Sequence, residues 1–319
     1  MGVHSLYGKR FGIDTSASIL YVDGSPLVPN YATPGGKVIY VDSAVGGSDG
    51  SSPSGALATL DEAFAKCTAN KGDVIIVMPN HAETVTGAGG IDHDVAGVSV
   101  IGLGKGSNRP RILLDGGTTV TYLIAAADAC VANIDFAAGH SNVATCFDVT
   151  AANAHIDNCK FRNNTTNEDF LVCVTASGGD NTADGLQVTD CDWYTTDTDD
   201  DQMISIIGDA VGVRIMGNKM MSLSTATAQL IIVATGKLLT DAEIGWNMCQ
   251  NRMTAGELFI SNNGTTNSGF VHNNYSGHAD VTGAHDNGWA TGGWRLFNNY
   301  SASVDTANGG LIPAVDVDL

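Results

Sequence analysis

One short sequence motif occurs seven times from residue 131 onward, and it constrains the fold more than any other feature. Each copy has an apolar residue, a small or amide residue three positions later, and a large apolar residue two positions after that. The copies are spaced 25 to 32 residues apart. A repeat of this length, without helical or heptad periodicity, is typical of a solenoid. The copies begin at Val131, Ile156, Val188, Ile215, Ile244, Phe270 and, in a degraded form, Arg295.

The residue types within each copy indicate strands with a buried polar track. Positions three and five share one strand face, because side chains two residues apart point the same way, and we expect both to point inward. An inward Asn is costly unless its amide is hydrogen bonded, and stacked Asn amides in successive coils satisfy one another. The alternative is that these Asn residues only mark turns. The predicted ladder consists of Cys159, Cys191, Asn218, Asn247, Asn273 and Asn298.

A second set of apolar segments runs between the copies of the first. The ends of these segments are 25, 33, 26 and 27 residues apart, so they lengthen at the same coil as the first set. Two sets of strands that share their spacing indicate one solenoid with several strands in each coil. The segments end at Val149, Val174, Ile207, Val233 and Ile260.

The pattern resembles the pectate-lyase-like superfamily over residues 37–300. The resemblance rests on the coil length, the Asn and Cys positions, and an N-terminal segment of strand, helix and Gly-Asp-x-Ile-x-Val-x-Pro at residues 72–79. It implies an all-β protein, a single-stranded right-handed parallel β-helix, with a cap at residues 37–103. Within this cap, residues 54–71 have a helical pattern, and we expect an amphipathic capping helix there. The fold is shared by lyases, glycosidases, phage tailspikes, adhesins and capsid proteins, so it leaves the function open.

Residues 1–36 lie outside the repeat and predict an extended arm. This segment is apolar and aromatic, and it carries two cations before the first acid, Asp14. We interpret it as an arm that docks on a partner, the alternatives being a strap along the solenoid or a disordered tail. The C-terminal tail, residues 301–319, is expected to add an edge strand, close the end of the solenoid or pair with another subunit. The arm residues expected to dock are Leu6, Tyr7, Lys9, Arg10, Phe11 and Ile13.

The composition excludes several classes of partner. The net charge of −19 and the pI near 4.4 disfavour binding to nucleic acid or to an anionic membrane. No apolar run is long enough to span a membrane, and Met1–Tyr21 lacks the apolar core of a signal peptide. The seven Cys residues show no metal-binding spacing, so we expect reduced, buried thiols and folding in a cytoplasm.

Candidate catalytic residues are present, but no pair stands out, and we assign none. Outward carboxylates are expected to be solvated, and the cations Arg162, Arg214, Lys219, Arg252 and Arg295 are scattered. No cofactor is expected. A calcium ion on Asp197, Asp199, Asp200 and Asp201 is the weaker alternative to an exposed acidic loop. Trp246, Trp289 and Trp294 fit a sugar platform or, preferably, a C-terminal cap or subunit interface. The carboxylates considered are Asp148, Asp157, Asp190, Asp192, Asp241 and Glu243.

The resemblance, the missing catalytic pair and the arm together favour a virion protein of a tailed phage. We expect a non-enzymatic capsid decoration protein, assembled in the host cytoplasm and located in the virion. It would form a homotrimer and dock on the major capsid protein, or on another virion protein, through residues 1–36. Two alternatives stay open. One is a tailspike-like polysaccharide depolymerase or lyase, and the other is an adhesin that binds a receptor glycan.

Overall fold

The computed structural model contains a parallel β-helix of seven complete coils, each with one strand in each of three sheets. This confirms the predicted all-β solenoid. The structure describes residues 2–6, 9–14, 19–22, 25–26, 36–45, 47–87, 90–165, 167–195, 201–223, 228–251, 257–262, 267–278, 293–303 and 310–312. Within these ranges, no helix is long and apolar enough to cross a membrane.

Three sheets run the length of the solenoid, and their strands are parallel and in register, except at the C-terminal edge of sheet II. Sheet I contains β5 (Val38–Val41), β6 (Val74–Val77), β9 (Ser99–Gly102), β12 (Cys130–Ala132), β15 (His155–Asp157), β18 (Gln187–Thr189), β22 (Arg214–Met216), β26 (Ala242–Gly245), β29 (Gly269–His272) and β31 (Arg295–Phe297). Sheet II contains β7 (Ala82–Val85), β10 (Arg111–Leu114), β13 (Asp135–Ala138), β16 (Lys160–Asn163), β19 (Asp192–Tyr194), β23 (Lys219–Ser222), β27 (Met248–Asn251), β30 (Tyr275–His278), β32 (Asn299–Ser303) and β33 (Gly310–Ile312).

Sheet III is formed by the second set of apolar segments, as the spacing predicts. It contains β8 (Ile91–His93), β11 (Tyr122–Ile124), β14 (Phe147–Val149), β17 (Val172–Ala176), β20 (Asp201–Ile206), β24 (Ala228–Val233) and β28 (Glu257–Asn262). A short two-stranded sheet joins β21 (Ala210–Val211) to β25 (Leu239–Thr240) in the loops between sheets III and I.

From β12 onward, a tight turn of one or two residues connects sheet I to sheet II in each coil. The first turn residue adopts a left-handed conformation, with φ between 47° and 71°, and the second points inward. Asn, Asp and Gly tolerate this conformation best, which explains their recurrence at this position. The left-handed residues are Asn133, Asn158, Asp190, Gly217, Trp246, Asn273 and Asn298.

The inward residue of this turn forms an amide ladder in the later coils. The Nδ2 of Asn218 donates to the Oδ1 of Asn247 at 3.0 Å, and Asn247 donates likewise to Asn274. Asn274 in turn donates to Asn299 at 2.9 Å. Each amide also donates to a strand carbonyl of the preceding coil at 2.7–3.0 Å.

The assignment of Asn273 and Asn298 to this ladder is wrong by one residue. Both occupy the left-handed turn position, and the inward residues are Asn274 and Asn299. In each Asn-Asn pair the first residue takes the strained backbone and the second takes the buried amide site. The preceding inward residue is therefore Val271, which is fully buried, whereas the predicted Phe270 is 44% exposed. Cys159 and Cys191 occupy the inward position in the earlier coils.

The N-terminal cap contains a much shorter helix than the predicted one at residues 54–71. Helix α1 spans Leu60–Phe64 and begins at Thr59, whose side chain accepts from the Glu62 N–H. Leu57 instead lies in a bridge to Val41, so the chain before Thr59 stays extended. A 3₁₀ turn at Pro53–Gly55 precedes it, and another occurs at Gly106–Asn108. Residues 37–103 thus already supply strands to all three sheets.

The two ends of the chain add antiparallel strands. The predicted extended arm contains a four-stranded antiparallel sheet of β1 (Gly2–Leu6), β2 (Lys9–Asp14), β3 (Ile19–Val22) and β4 (Ser25–Pro26). Leu6 pairs with Lys9, so β1 and β2 lie antiparallel instead of forming one continuous extended segment. In the C-terminal tail, β33 pairs antiparallel with β32, which corresponds to the edge-strand alternative.

Candidate functional site

The residues predicted for docking and for calcium binding form no site within the part of the chain that the structure describes. Leu6, Lys9, Arg10, Phe11 and Ile13 lie on strands of the N-terminal sheet, where the structure describes the backbone. Tyr7, Asp197, Asp199 and Asp200 lie outside the described residues, and Asp201 begins β20. Over the described ranges, no group of three or more His, Cys, Asp or Glu side chains is arranged to hold a metal ion. Partner docking, the homotrimer and the calcium ion stay predictions.

Five of the six carboxylates considered from the sequence lie outside sheet II. Asp148 is on the outer face of sheet III and accepts a hydrogen bond from Ser177. Asp157 accepts from Thr189 at 2.6 Å on sheet I. Asp190 and Asp241 have left-handed backbones in turns.

A row of alternating charges crosses the outer face of sheet II, and it includes Asp192. Strand register places each charged residue directly beside the next, on consecutive strands about 4.8 Å apart. The Nζ of Lys160 lies 3.8 Å from the Oδ2 of Asp192, and both side chains are about one-third exposed. We name this set the charged row. It consists of Arg111, Asp135, Lys160, Asp192 and Lys219.

Two further arginines increase the positive charge around this row. Arg162 follows Lys160 by two residues and shares the outer face of β16. Arg109 reaches the turn between β15 and β16, two coils further on, where its Nη1 donates to the Asn158 carbonyl at 2.7 Å. Arg111 donates from Nη2 to the Oδ1 of Asn164 at 2.8 Å. The set then contains five cations and two carboxylates, an excess of three positive charges on a chain of net charge −19. Such an excess favours an anionic ligand.

Asp135 is the unusual member of the charged row. Burial raises the pKa of its carboxyl, although Arg162, Arg111, Arg109 and Lys160 act in the opposite direction. Its Oδ1 is shielded from solvent and has no hydrogen-bond partner among the described residues. A carboxyl group with a raised pKa retains its proton at higher pH than an ordinary Asp, so it is suited to act as a general acid.

Sequence reasoning missed Asp135, Arg109, Arg111 and Lys160, although a signal was present. Asp135, Lys160, Asp192 and Lys219 each stand four residues after the start of a copy of the repeat. Aligning the copies by that position would have shown a column of alternating charge. Arg109 gives no such signal, because its contact to Asn158 joins residues 49 positions apart.

The row continues past Lys219 with apolar and aromatic residues. Met248, Tyr275 and Tyr300 follow in register, and the two tyrosine rings stack at 5.8 Å with an angle of 11° between their planes. Tyr275 and Tyr300 are 37% and 38% exposed. One outer row of sheet II therefore presents charges at its N-terminal end and stacked aromatic rings at its C-terminal end.

Comparison with known proteins gives no family. No protein-family model and no curated protein matches the chain. Among solved structures, the chain is similar to a rhamnogalacturonan lyase, with a TM-score of 0.42 and 13% sequence identity. The match covers 83% of this chain and 87% of the lyase.

This finding contradicts the prediction of a non-enzymatic capsid decoration protein. We therefore do not retain the decoration-protein prediction. Because the similarity is low, it assigns no activity to this chain.

Proposed function

We propose that this chain binds an acidic polysaccharide along the outer face of sheet II and hydrolyses it there. The observation that carries the proposal is the protonatable carboxyl of Asp135 within an excess of cations. The cations would pair with the carboxylates of uronic acid units, since guanidinium groups bind carboxylates through charged hydrogen bonds. Strands about 4.8 Å apart also match the length of one sugar unit, so consecutive coils can contact consecutive sugars.

Asp135 and Asp192 supply the two carboxyl groups that hydrolysis of a glycosidic bond requires. They lie two strands apart in the charged row, about 9.6 Å between backbones. Inverting glycosidases place their carboxyl groups roughly 6.5–9.5 Å apart, with room for a water molecule, and the backbone separation here lies just above the upper end of that range. In this proposal Asp135 protonates the glycosidic oxygen, and Asp192, beside Lys160, accepts a proton from the attacking water.

The test is to incubate the chain with polygalacturonate, alginate and hyaluronate, with neutral dextran as the control, and to measure new reducing ends. We expect cleavage of an acidic polymer and none of dextran. Asp135→Asn should abolish cleavage, whereas Asp148→Asn, the same change on sheet III, should leave it intact. Absence of cleavage by the folded chain would contradict the proposal. Products that absorb in the ultraviolet as unsaturated uronates would show that the chain cleaves the polymer by elimination and not by hydrolysis.

The pH dependence gives a second test of the same assignment. Because burial raises the pKa of Asp135, its proton is retained to higher pH than that of an ordinary Asp and is lost as the pH rises through this pKa. Activity should therefore fall as the pH rises through the pKa of Asp135. The measurement is the cleavage rate as a function of pH. A rate that rises steadily with pH would exclude Asp135 as the acid.

A further inference from the structure

Trp246 occupies a backbone position that its residue type does not favour. It is the left-handed residue of the turn after β26, with φ of 59°. The same position in neighbouring coils holds Gly217, Asn273 and Asn298, which adopt this conformation more easily. A bulky residue with positive φ is an outlier, and such strain persists where another role compensates for it.

Burial does not explain Trp246. Its side chain is 64% exposed, the highest value among the exposed large hydrophobic residues of the described chain. Trp193, in contrast, lies inside the β-helix and is 1% exposed. The strain at Trp246 thus supports a ring that faces solvent, and a role at the surface is the remaining explanation.

Two exposed phenylalanines lie on the strands that follow Trp246 in sheet I. Phe270 and Phe297 are 44% and 42% exposed, and their rings meet edge to face at 6.2 Å. Arg295 places its guanidinium 5.6 Å from the centre of the Phe270 ring. The Phe297 ring also stacks on the His272 imidazole at 4.9 Å, with 6° between their planes. The aromatic surface is therefore preformed.

A polar cluster lies beside these rings. The Nε of Arg214 donates to the Oε2 of Glu243 at 3.0 Å, and the Nε2 of His272 lies 3.5 Å from the Oε1 of Glu243. The Nδ2 of Asn273 donates to the Nδ1 of His272 at 2.9 Å, which leaves the ring proton on Nε2, toward Glu243. Gly245 permits this arrangement, because a Cβ there would lie 2.5 Å from the His272 ring.

We propose that these residues form a glycan-binding subsite for neutral hexopyranose units, separate from the charged row. Aromatic rings beside a few oriented polar groups are the usual components of a small-ligand site. The rings would stack on the apolar face of a sugar, and Glu243 and Arg214 would bind its hydroxyl groups. We name this subsite the aromatic corner. It consists of Trp246, Phe270, Phe297, Arg214, Glu243 and His272.

The charges favour a neutral sugar over a uronate at the aromatic corner. Arg214 is already paired with Glu243, and that carboxylate, about one-third exposed, would repel a second one, while the remaining cation, Arg295, lies over the Phe270 ring. The exposed charges also disfavour a second copy of this chain, since charged residues are depleted at the centres of protein interfaces. The aromatic corner thus differs in ligand class from the cation-rich site around Asp135.

The experiment is a binding titration of the full chain with cellohexaose, maltohexaose and mannohexaose, and with a galacturonate hexamer as the acidic probe. Binding is followed by calorimetry and by tryptophan fluorescence. We expect a neutral hexamer to bind and to change the fluorescence of the exposed Trp246. Trp246→Asn should weaken this binding at least ~10-fold, and Trp246→Tyr, which keeps an aromatic ring, should restore most of it. Leu103→Asn, at another exposed apolar residue, is the control and should bind normally.

Thermal stability and molecular mass distinguish a glycan-binding role of Trp246 from a role in packing or in a subunit interface. Asn accepts the left-handed backbone, so Trp246→Asn should leave Tm unchanged or raise it by roughly 2 °C. A lower Tm, or dissociation of an oligomer in sedimentation, would assign Trp246 to packing or a subunit interface and overturn the proposal. Binding of the acidic hexamer alone, or of no hexamer, would overturn it equally. Asp135→Asn should bind neutral hexamers as the wild type does. A failure of the proposed cleavage is therefore distinguishable from a failure of the proposed glycan-binding subsite.

Discussion

In the coils up to β19 the turn between sheets I and II buries apolar side chains and thiols, whereas from β22 onward it buries amides. Cys159 and Cys191 place their Sγ atoms 3.7 Å from the carbonyl oxygens of Val131 and Ile156. In the later coils, Asn218 and Asn247 bind the equivalent carbonyls at 2.8 Å. The same backbone groups are therefore satisfied weakly in one half and strongly in the other.

The interiors of the two halves differ in a complementary way. The first half contains a column of buried rings with centroids 4.7–6.4 Å apart: Tyr122, Phe136, Phe147 and Phe161. The second half contains mainly aliphatic side chains, such as Leu230, Ile231 and Ile244. Large rings supply more buried apolar area per coil, so we infer that the first half depends on packing and the second more on its hydrogen-bonded ladder.

Acidification should destabilise the first half, and this loss of stability is the largest effect that we predict. His93 is buried against Phe64 at 4.5 Å, and burial lowers the pKa of His93 from 6.5 to about 3. Below pH 6.5 the unfolded chain binds a proton that the folded chain rejects, so stability falls as the pH falls toward 3. The loss is about 1.4 kcal/mol per pH unit, or about 3 kcal/mol by pH 4.

The measurement is the free energy of unfolding in urea at several pH values between 7 and 4. His93→Gln keeps a hydrogen-bonding group near the Tyr122 hydroxyl, which lies 3.2 Å from the His93 Nδ1, but cannot be protonated. This variant should lose less stability on acidification than the wild type. The exposed His140→Gln is the control and should behave as the wild type. An identical pH dependence in the His93 variant would remove His93 as the cause.

The stability of the second half should depend on each amide of the ladder, so loss of one ladder amide should cost more than loss of an exposed amide. Asn247→Leu leaves the backbone N–H and the Nδ2 of Asn218 without the Oδ1 that accepts from both. It also removes the donor to the Ile215 carbonyl. Buried groups without partners cost about 1–3 kcal/mol each, and partial relaxation should reduce the total to about 2–3 kcal/mol. Urea unfolding measures this loss, with the exposed Asn108→Leu as the control. If the two variants lost equal stability, the ladder would not support the second half.

The sequence predicts the ladder less accurately than the coils, and the physical reason is local. Coil length and inward apolar positions follow from the strand period of two, which the apolar pattern shows directly. An Asn-Asn pair offers two candidates for one inward site, and backbone dihedral angles decide between them. Asn273 takes the left-handed turn and Asn274 the buried site. A residue pattern contains no dihedral angles, so the assignment slipped by one residue.

The candidate sites depend on geometry even more. Lys160 and Asp192 are 32 residues apart in sequence and become neighbours only when strand register is known. The raised pKa of Asp135 depends on its burial, which an outward strand position did not predict. The exposed Trp246 was noticed from its residue type, but its strained backbone was not. Composition and spacing therefore predict the scaffold, whereas contacts across coils define the surfaces.

The smallest effect concerns the boundary between the two halves, at Cys191. Burial raises the pKa of this thiol well above its usual value, so the sulfur retains its proton and faces the Ile156 carbonyl as a weak donor. The Cys191 N–H already donates to the Oδ1 of Asn218. In Cys191→Asn the new amide would therefore reach both groups and extend the ladder by one coil. We expect the free energy of unfolding in urea to change by less than about 1 kcal/mol in this variant.

The control is Cys191→Leu, whose side chain has as many heavy atoms as that of Asn but no hydrogen-bond donor. It should lower the free energy of unfolding by about 1–3 kcal/mol through overpacking. Equal losses would mean that space at β18 and β19, rather than hydrogen bonding, ends the ladder at Asn218.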